Sequence, residues 1–232
     1  MSRTAFRTSA LLTTLALLAI PAAARAGGLI QSLPEDGAWV TFKVSSELDL
    51  QGNLQSLDHE LKVASVGKQD VEGDPGRWIE LSTELGGRKM LAKLLIAEKF
   101  LKAEQNPFEH VAKAWGRGPE GEVRELPEGN LRRLLLFAVA VPNFEKPEKK
   151  EKETIQTELG KYECEHWKGE AEVEGFQNNQ VKFEGDLWTH NKVPFGLVKA
   201  KIKGDFGLGS LASVLEATKS GTGAKSDLPD AN

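Results

Sequence analysis

The chain has 232 residues, a formal net charge of −4, 40% hydrophobic and 28% charged residues, and a single cysteine. That is the composition of a globular protein long enough to bury a core without covalent staples. One cysteine excludes an internal disulfide, and the acidic balance excludes the basic face that nucleic acid or an anionic membrane surface requires.

The first 26 residues carry Arg3 and Arg7, an apolar run from Ser9 to Ile20, and the small-residue site Ala24-Arg25-Ala26. This is the three-part pattern of a cleavable secretory signal peptide. That segment holds three arginines and no acid, so the chain from Gly27 onward has 27 basic against 34 acidic residues. No cysteine follows the cleavage site to take a lipid. The longest later apolar run, Leu134 to Val141, falls short of the ~18 residues of a membrane span. The expected product is a periplasmic or secreted protein without a lipid anchor. It would have one β-rich domain over 27–219 and a disordered Gly-, Ser-, Asp- and Pro-bearing tail over 220–232.

Period-2 alternation begins near Gly37. Val40, Phe42 and Val44 alternate with Thr41, Lys43 and Ser45. Ile79, Leu81 and Thr83 likewise alternate with Trp78, Glu80 and Ser82, the pattern of half-buried antiparallel strand. Gly86-Gly87 suits a two-residue hairpin leading into RKMLAKLLI, and Gln51-Gly52-Asn53 and Asp74-Pro75-Gly76 carry turn chemistry. In the centre the pattern changes. Asn106, Pro107 and Glu109 read as a capped helix start, and Phe108, Val111, Ala112 and Trp115 form a helical stripe over 106–115. A second helical segment is expected from Asn130 to Pro142, with a buried strand as the alternative. Residues 145–153 read as a charged connecting loop. Strand patterns then resume in ETIQTEL, KYECEHW, EAEVEGF, VKFEGDLWTH, VPFGLVKAKIK and LASVLEATK, with turns at Asn178-Asn179 and Asn191-Lys192.

Catalytic and metal patterns are sparse. Cys164 and His166 stand two apart on a strand and share a face, but a zinc site needs three or four converging ligands. Adjacent residues Asp58, His59 and Glu60 point to alternate faces and cannot converge on one substrate. Gly207-Leu208-Gly209-Ser210-Leu211 lacks the final glycine of a nucleophile elbow. Glu163, Glu165, Glu170, Glu172 and Glu174 alternate as the wet face of a sheet would, although two carboxylates could serve glycoside hydrolysis. No cofactor or metal motif is present.

The stretch Gly160-Lys-Tyr-Glu-Cys-Glu165 followed by Trp188-Thr-His-Asn-Lys-Val-Pro-Phe-Gly-Leu-Val-Lys199 resembles hairpins of uncharacterised secreted bacterial proteins. Those proteins share the fold of the lipoprotein carriers (LolA-like). The order of strands, helical insertion and strands behind a leader resembles that architecture too. The resemblance implies a mainly β fold: a strongly curved antiparallel sheet, an incomplete barrel, with a small helical insertion in the middle. It also implies an apolar cavity between the sheet and the segments 97–115 and 130–141. The residues expected to line it are Trp39, Phe42, Trp78, Leu81, Leu94, Trp115, Phe137, Phe183 and Trp188. The expected function is a non-enzymatic extracytoplasmic carrier of a hydrophobic small molecule, lipid or lipidated protein, without cofactor or metal. The alternatives are an envelope interaction module and, less favoured, an envelope hydrolase.

Overall fold

The computed structural model describes residues 28–102, 105–117, 121–127, 141–174, 180–207 and 209–228. Its strands are β1 (Trp39–Leu50), β2 (Asn53–Lys68), β3 (Gly76–Leu85), β4 (Arg88–Ala97), β5 (Val111–Arg117) and β6 (Val123–Glu125). They continue with β7 (Glu148–Lys149), β8 (Glu153–Thr157), β9 (Gly160–Glu174), β10 (Gln180–Thr189), β11 (Leu197–Asp205) and β12 (Gly209–Gly221). The sheet runs β6-β5-β4-β3-β2-β1-β12-β11-β10-β9-β7, with β8 also on β9. It is antiparallel, curved, and not closed into a barrel.

Local chemistry sets the hairpins. Gln51 and Gly52 have φ of 56° and 85°, and Gly86 and Gly87 have 58° and 75°. Two successive positive φ values make the turn whose twist matches the strands it joins. The centre of the sheet is long-range. β1 and β12 pair from Trp39↔Gly221 to Leu50↔Gly209, which stitches the N-terminal and C-terminal halves into one sheet.

Alternation then separates two faces. The core face carries Val40, Phe42 and Val44 of β1, Leu61 and Val63 of β2, and Ile79 and Leu81 of β3, all buried in one cluster. The cluster continues through Leu94 and Ile96 of β4 to Phe183, Ile202 and Leu215 on the other half of the sheet. Leu29 and Ile30 before β1, and Val141 and Phe144 before β7, join the same cluster. No described helix is long and apolar enough to cross a membrane.

The helix expected over 106–115 is not formed. Asn106 does cap, its Oδ1 accepting from Phe108 N at 3.2 Å, but only a single 3-10 turn follows over Pro107–Glu109. The chain then enters β5, pairing Val111↔Ile96 and Ala114↔Leu94. The reason is tertiary. β4 is buried from Leu91 to Ala97, so its free backbone edge would stay unsatisfied without a neighbouring strand. That requirement outweighs a weak local helical stripe. The helical segment expected over 130–142 and the turn at Asn178-Asn179 lie outside the described residues, except for Val141 and Pro142, and so does Phe137. Within the expected 145–153 loop, Glu148 and Lys149 pair with Lys168 and Trp167 of β9. Of the tail expected to be disordered, residues 220–228 are described and 229–232 are not. Ser220 and Gly221 belong to β12, and residues 222–228 lie against the sheet, where Leu228 is buried.

Candidate functional site

The residues expected to line one cavity are divided between the two faces. Phe42, Leu81, Leu94 and Phe183 belong to the core cluster and are at most 5% exposed. Trp39, Trp78 and Trp115 alternate out of phase with them and stand on the back face, while Trp188, out of phase too, is buried as part of the core cluster. Cross-strand register makes this explicit: Trp39 opposes Ala64, Ala64 opposes Glu80, Glu80 opposes Lys93, and Lys93 opposes Trp115. Of the segment 97–115, Leu101 is buried in the core cluster with Phe100 and Phe108 packed against it, while Val111 onward is the added strand β5 and not a covering helix.

The core face changes character toward the β1–β2 turn. Leu48 opposes Leu211, which is partly buried against the core; Leu57 opposes Ser46 one row nearer the core, Leu50 lies one row beyond, and each of the two is 44% exposed. Leu54, on the back face of the same hairpin, is 62% exposed. The alternation that builds the core thus runs on past the packed interior. It leaves an apolar lip of leucines at the hairpin end, where a polar residue would ordinarily stand. Phe183 and Phe206 meet edge-on nearby, with centroids 6.4 Å apart. Gly204 leaves the space for Phe183, since a Cβ there would stand 2.6 Å from its ring.

No protein-family model and no curated protein matches this sequence. Among solved structures, the chain is similar to a candidate lipoprotein of Parabacteroides distasonis at 13% identity. That match covers 83% of this chain and 99% of the other, with a TM-score of 0.41. It is similar to a candidate exported protein of Bacteroides fragilis with a YmcC-like fold, at 13% identity over 84% and 100% of the two chains, with a TM-score of 0.40. It is also similar to a domain of a candidate outer-membrane lipoprotein-sorting protein from Vibrio parahaemolyticus. There the identity is 11% over 82% and 88% of the chains, and the TM-score 0.30. The functional reading rests on this chain's own residues.

The back face of β9–β11 holds a polar constellation. His166 Nε2 lies 2.7 Å from Asp186 and its Nδ1 lies 3.0 Å from Glu153. The ring stacks on Trp188 at 4.8 Å, and Trp188 Nε1 donates to the same Glu153 at 3.0 Å. Glu153 of β8 is thus tied to His166 of β9 and Trp188 of β10, and His166 to Asp186 of β10. A groove of about 710 Å³ runs beside it on this face. Lys168, Lys201 and Lys203 alternate along it with Glu47, Asp58, Glu184 and Asp186.

Cys164 does not act with His166 as a metal pair. Its side chain is fully buried, its Sγ donates weakly to Tyr162 O at 3.7 Å, and His166 is committed to two carboxylates. Among the described residues no group of three or more His, Cys, Asp or Glu is placed to hold a metal ion. Burial, and after it the negative Glu153, pushes the Cys164 thiol up to about 11. The thiolate is the reactive form, so this group is inert near neutrality. Iodoacetamide at pH 8 is expected to leave the folded protein unmodified and to alkylate Cys164 fully in urea, read as a mass shift. Rapid labelling of the folded protein would show that the site opens.

Proposed function

We infer that this protein is a non-enzymatic extracytoplasmic binding protein that receives a hydrophobic ligand, lipid or lipidated partner at the β1–β2 end of its core face. Export rests on the leader pattern of residues 1–26. The observation that carries the binding reading is the apolar lip. Leu50 and Leu57 stand exposed on the same face as the fully buried Phe42 and nearly buried Val44, across the hydrogen-bonded Ser46–Ser213 row, so an acyl chain laid there extends the apolar face past one polar row. Each methylene so buried contributes about 0.8 kcal/mol, enough for a short chain to bind with useful affinity.

The test is uptake of a fluorescent fatty-acid probe by the purified protein, with native mass spectrometry of protein taken from its own envelope. The joint Leu50→Glu and Leu57→Glu variant is expected to weaken probe binding by roughly tenfold or more while leaving the unfolding midpoint nearly unchanged, because both side chains are exposed. Saturable uptake that ignores both substitutions would overturn the placement. A protein partner without lipid in the native spectra would favour an interaction module instead.

A further inference from the structure

A second site lies on the back face of β3–β5, and a segment of this chain occupies it. Glu80 stands mid-row between Ala64 and Lys93 and is only 6% exposed. A buried carboxylate needs donors, and Glu80 takes them from far along the chain. Ser226 Oγ donates to it at 2.7 Å, and Asp227 N donates to its two oxygens at 3.1 and 3.3 Å. Lys89 meets the Asp227 carboxylate at 2.5 Å, and Arg117 Nη2 donates to the Asp227 carbonyl at 2.8 Å. Leu228 is 3% exposed, and its N–H donates to Ser226 Oγ at 3.1 Å. Trp78, Leu91 and Leu95 of the same face are buried as well, though none belongs to the main core.

The segment is held as a ligand is held. Residues 222–228 are outside every strand; beyond the Ala224 N–H to Gly37 O bond at 2.9 Å, they are held by side chains of β3, β4 and β5. Their composition gives no independent reason to order: Thr, Gly, Ala, Lys, Ser and Asp with a single leucine. The order comes from the surface beneath.

We propose that the back face around Glu80, flanked by Lys89 and Arg117, is a binding site for an extended hydroxyl–acid–apolar peptide segment, occupied in cis by Ser226-Asp227-Leu228. The Glu80 carboxylate reads the hydroxyl and the backbone N–H. The two cations read the acid and its carbonyl, and the buried apolar side chain is the anchor. The latch releases by local opening while the sheet remains folded, and the vacated site accepts the same segment in trans.

Acid supplies one trigger. The hydrogen bond from Lys89 holds the Asp227 carboxyl below its ordinary 3.8, helped by the charges of Lys89, Lys62 and Arg117 and opposed by burial. Glu80 is the acidic group on the facing strand. A depressed carboxyl contributes stability above its ordinary value and loses it as pH falls through the lower folded value, so the latch weakens only below about pH 4.

The test uses a variant ending at Thr222 and a synthetic peptide of residues 222–232. The truncated protein is expected to keep its strand circular dichroism, to shift its tryptophan emission to the red, and to bind the peptide saturably with recovery of emission. Peptides carrying Ser226→Ala or Leu228→Ala, and the truncated host carrying Glu80→Gln, are expected to bind roughly tenfold more weakly. Absence of saturable binding, or binding indifferent to Glu80→Gln, overturns the proposal. Amide exchange on the intact chain decides independently, even if truncation abolishes folding. The amides of Asp227 and Leu228 should exchange by local opening, well ahead of those in β12. Exchange of both only with global unfolding would make the segment an integral part of the fold and refute the latch.

Discussion

Phe144→Ala is expected to destabilise the protein by about 3–5 kcal/mol, the cost of emptying a fully packed aromatic site. Phe144 is 2% exposed and arrives from the segment before β7 to lie on the core face of β9 and β10. Its berth exists because two directly paired residues there, Gly169 and Gly185, have no side chains. A Cβ at Gly169 would stand 2.6 Å from both Cβ and Cγ of Phe144, and one at Gly185 would stand 3.2 Å from its Cζ. Gly169→Ala is therefore expected to cost about 1–3 kcal/mol by overpacking. The pair must couple, because the three atoms nearest to the Gly169 Cβ position all belong to Phe144. In the Phe144→Ala background the contacts with Cγ and Cδ2 are gone but the one with Cβ at 2.6 Å remains, so Gly169→Ala should cost less than in the parent protein without becoming free. Urea unfolding midpoints at unchanged slope measure all three variants. Additive losses would show that the glycine serves the strand and not the ring.

Glu98→Ala is expected to cost about 3 kcal/mol, the low end for breaking a buried ion pair. Arg77 is 4% exposed and spends its guanidinium on three segments. It donates from Nε and Nη2 to Glu98 Oε1 at 3.2 and 2.7 Å, and from Nη1 to Pro34 O and Ser65 Oγ, both at 3.0 Å. Removing Glu98, itself 26% exposed at its side chain, strands a buried cation that cannot lose its proton. The low end applies because water can reach part of the vacated space. Arg77→Lys should not rescue the linkage, since one ammonium cannot serve all three acceptors in the planar geometry of the fork. Thermal unfolding followed by circular dichroism checks both. A loss below about 1 kcal/mol for Glu98→Ala would place the pair among ordinary surface bridges.

The pieces readable from sequence are those whose cause is local. Alternation around Phe42, Leu81 and Phe183 assigns them to the core face, and the turns at Gln51-Gly52 and Gly86-Gly87 follow from their φ requirements. The phase of Trp78 and Glu80 against Ile79 and Leu81 also places those residues on the back face. The lip at Leu50 and Leu57 was open to the same reading, since leucines continue the alternation of SSELDLQGNLQSL up to and past a turn. Residues 106–115 carry a helical stripe too short to decide the element by itself, and the choice lies with the unpaired edge of β4.

By itself, then, the sequence determined a leader pattern, a β-rich chain with hairpins at named glycines, and which side chains share a face, because each depends on neighbours a few residues apart. Only the tertiary structure decided that β1 pairs with β12, that β5 is a strand, that Phe144 rests on Gly169 and Gly185, and that Ser226 and Asp227 reach Glu80. Those outcomes rest on which surfaces meet across long separations in the chain. The energy that fixes them belongs to the meeting of surfaces, not to either segment alone.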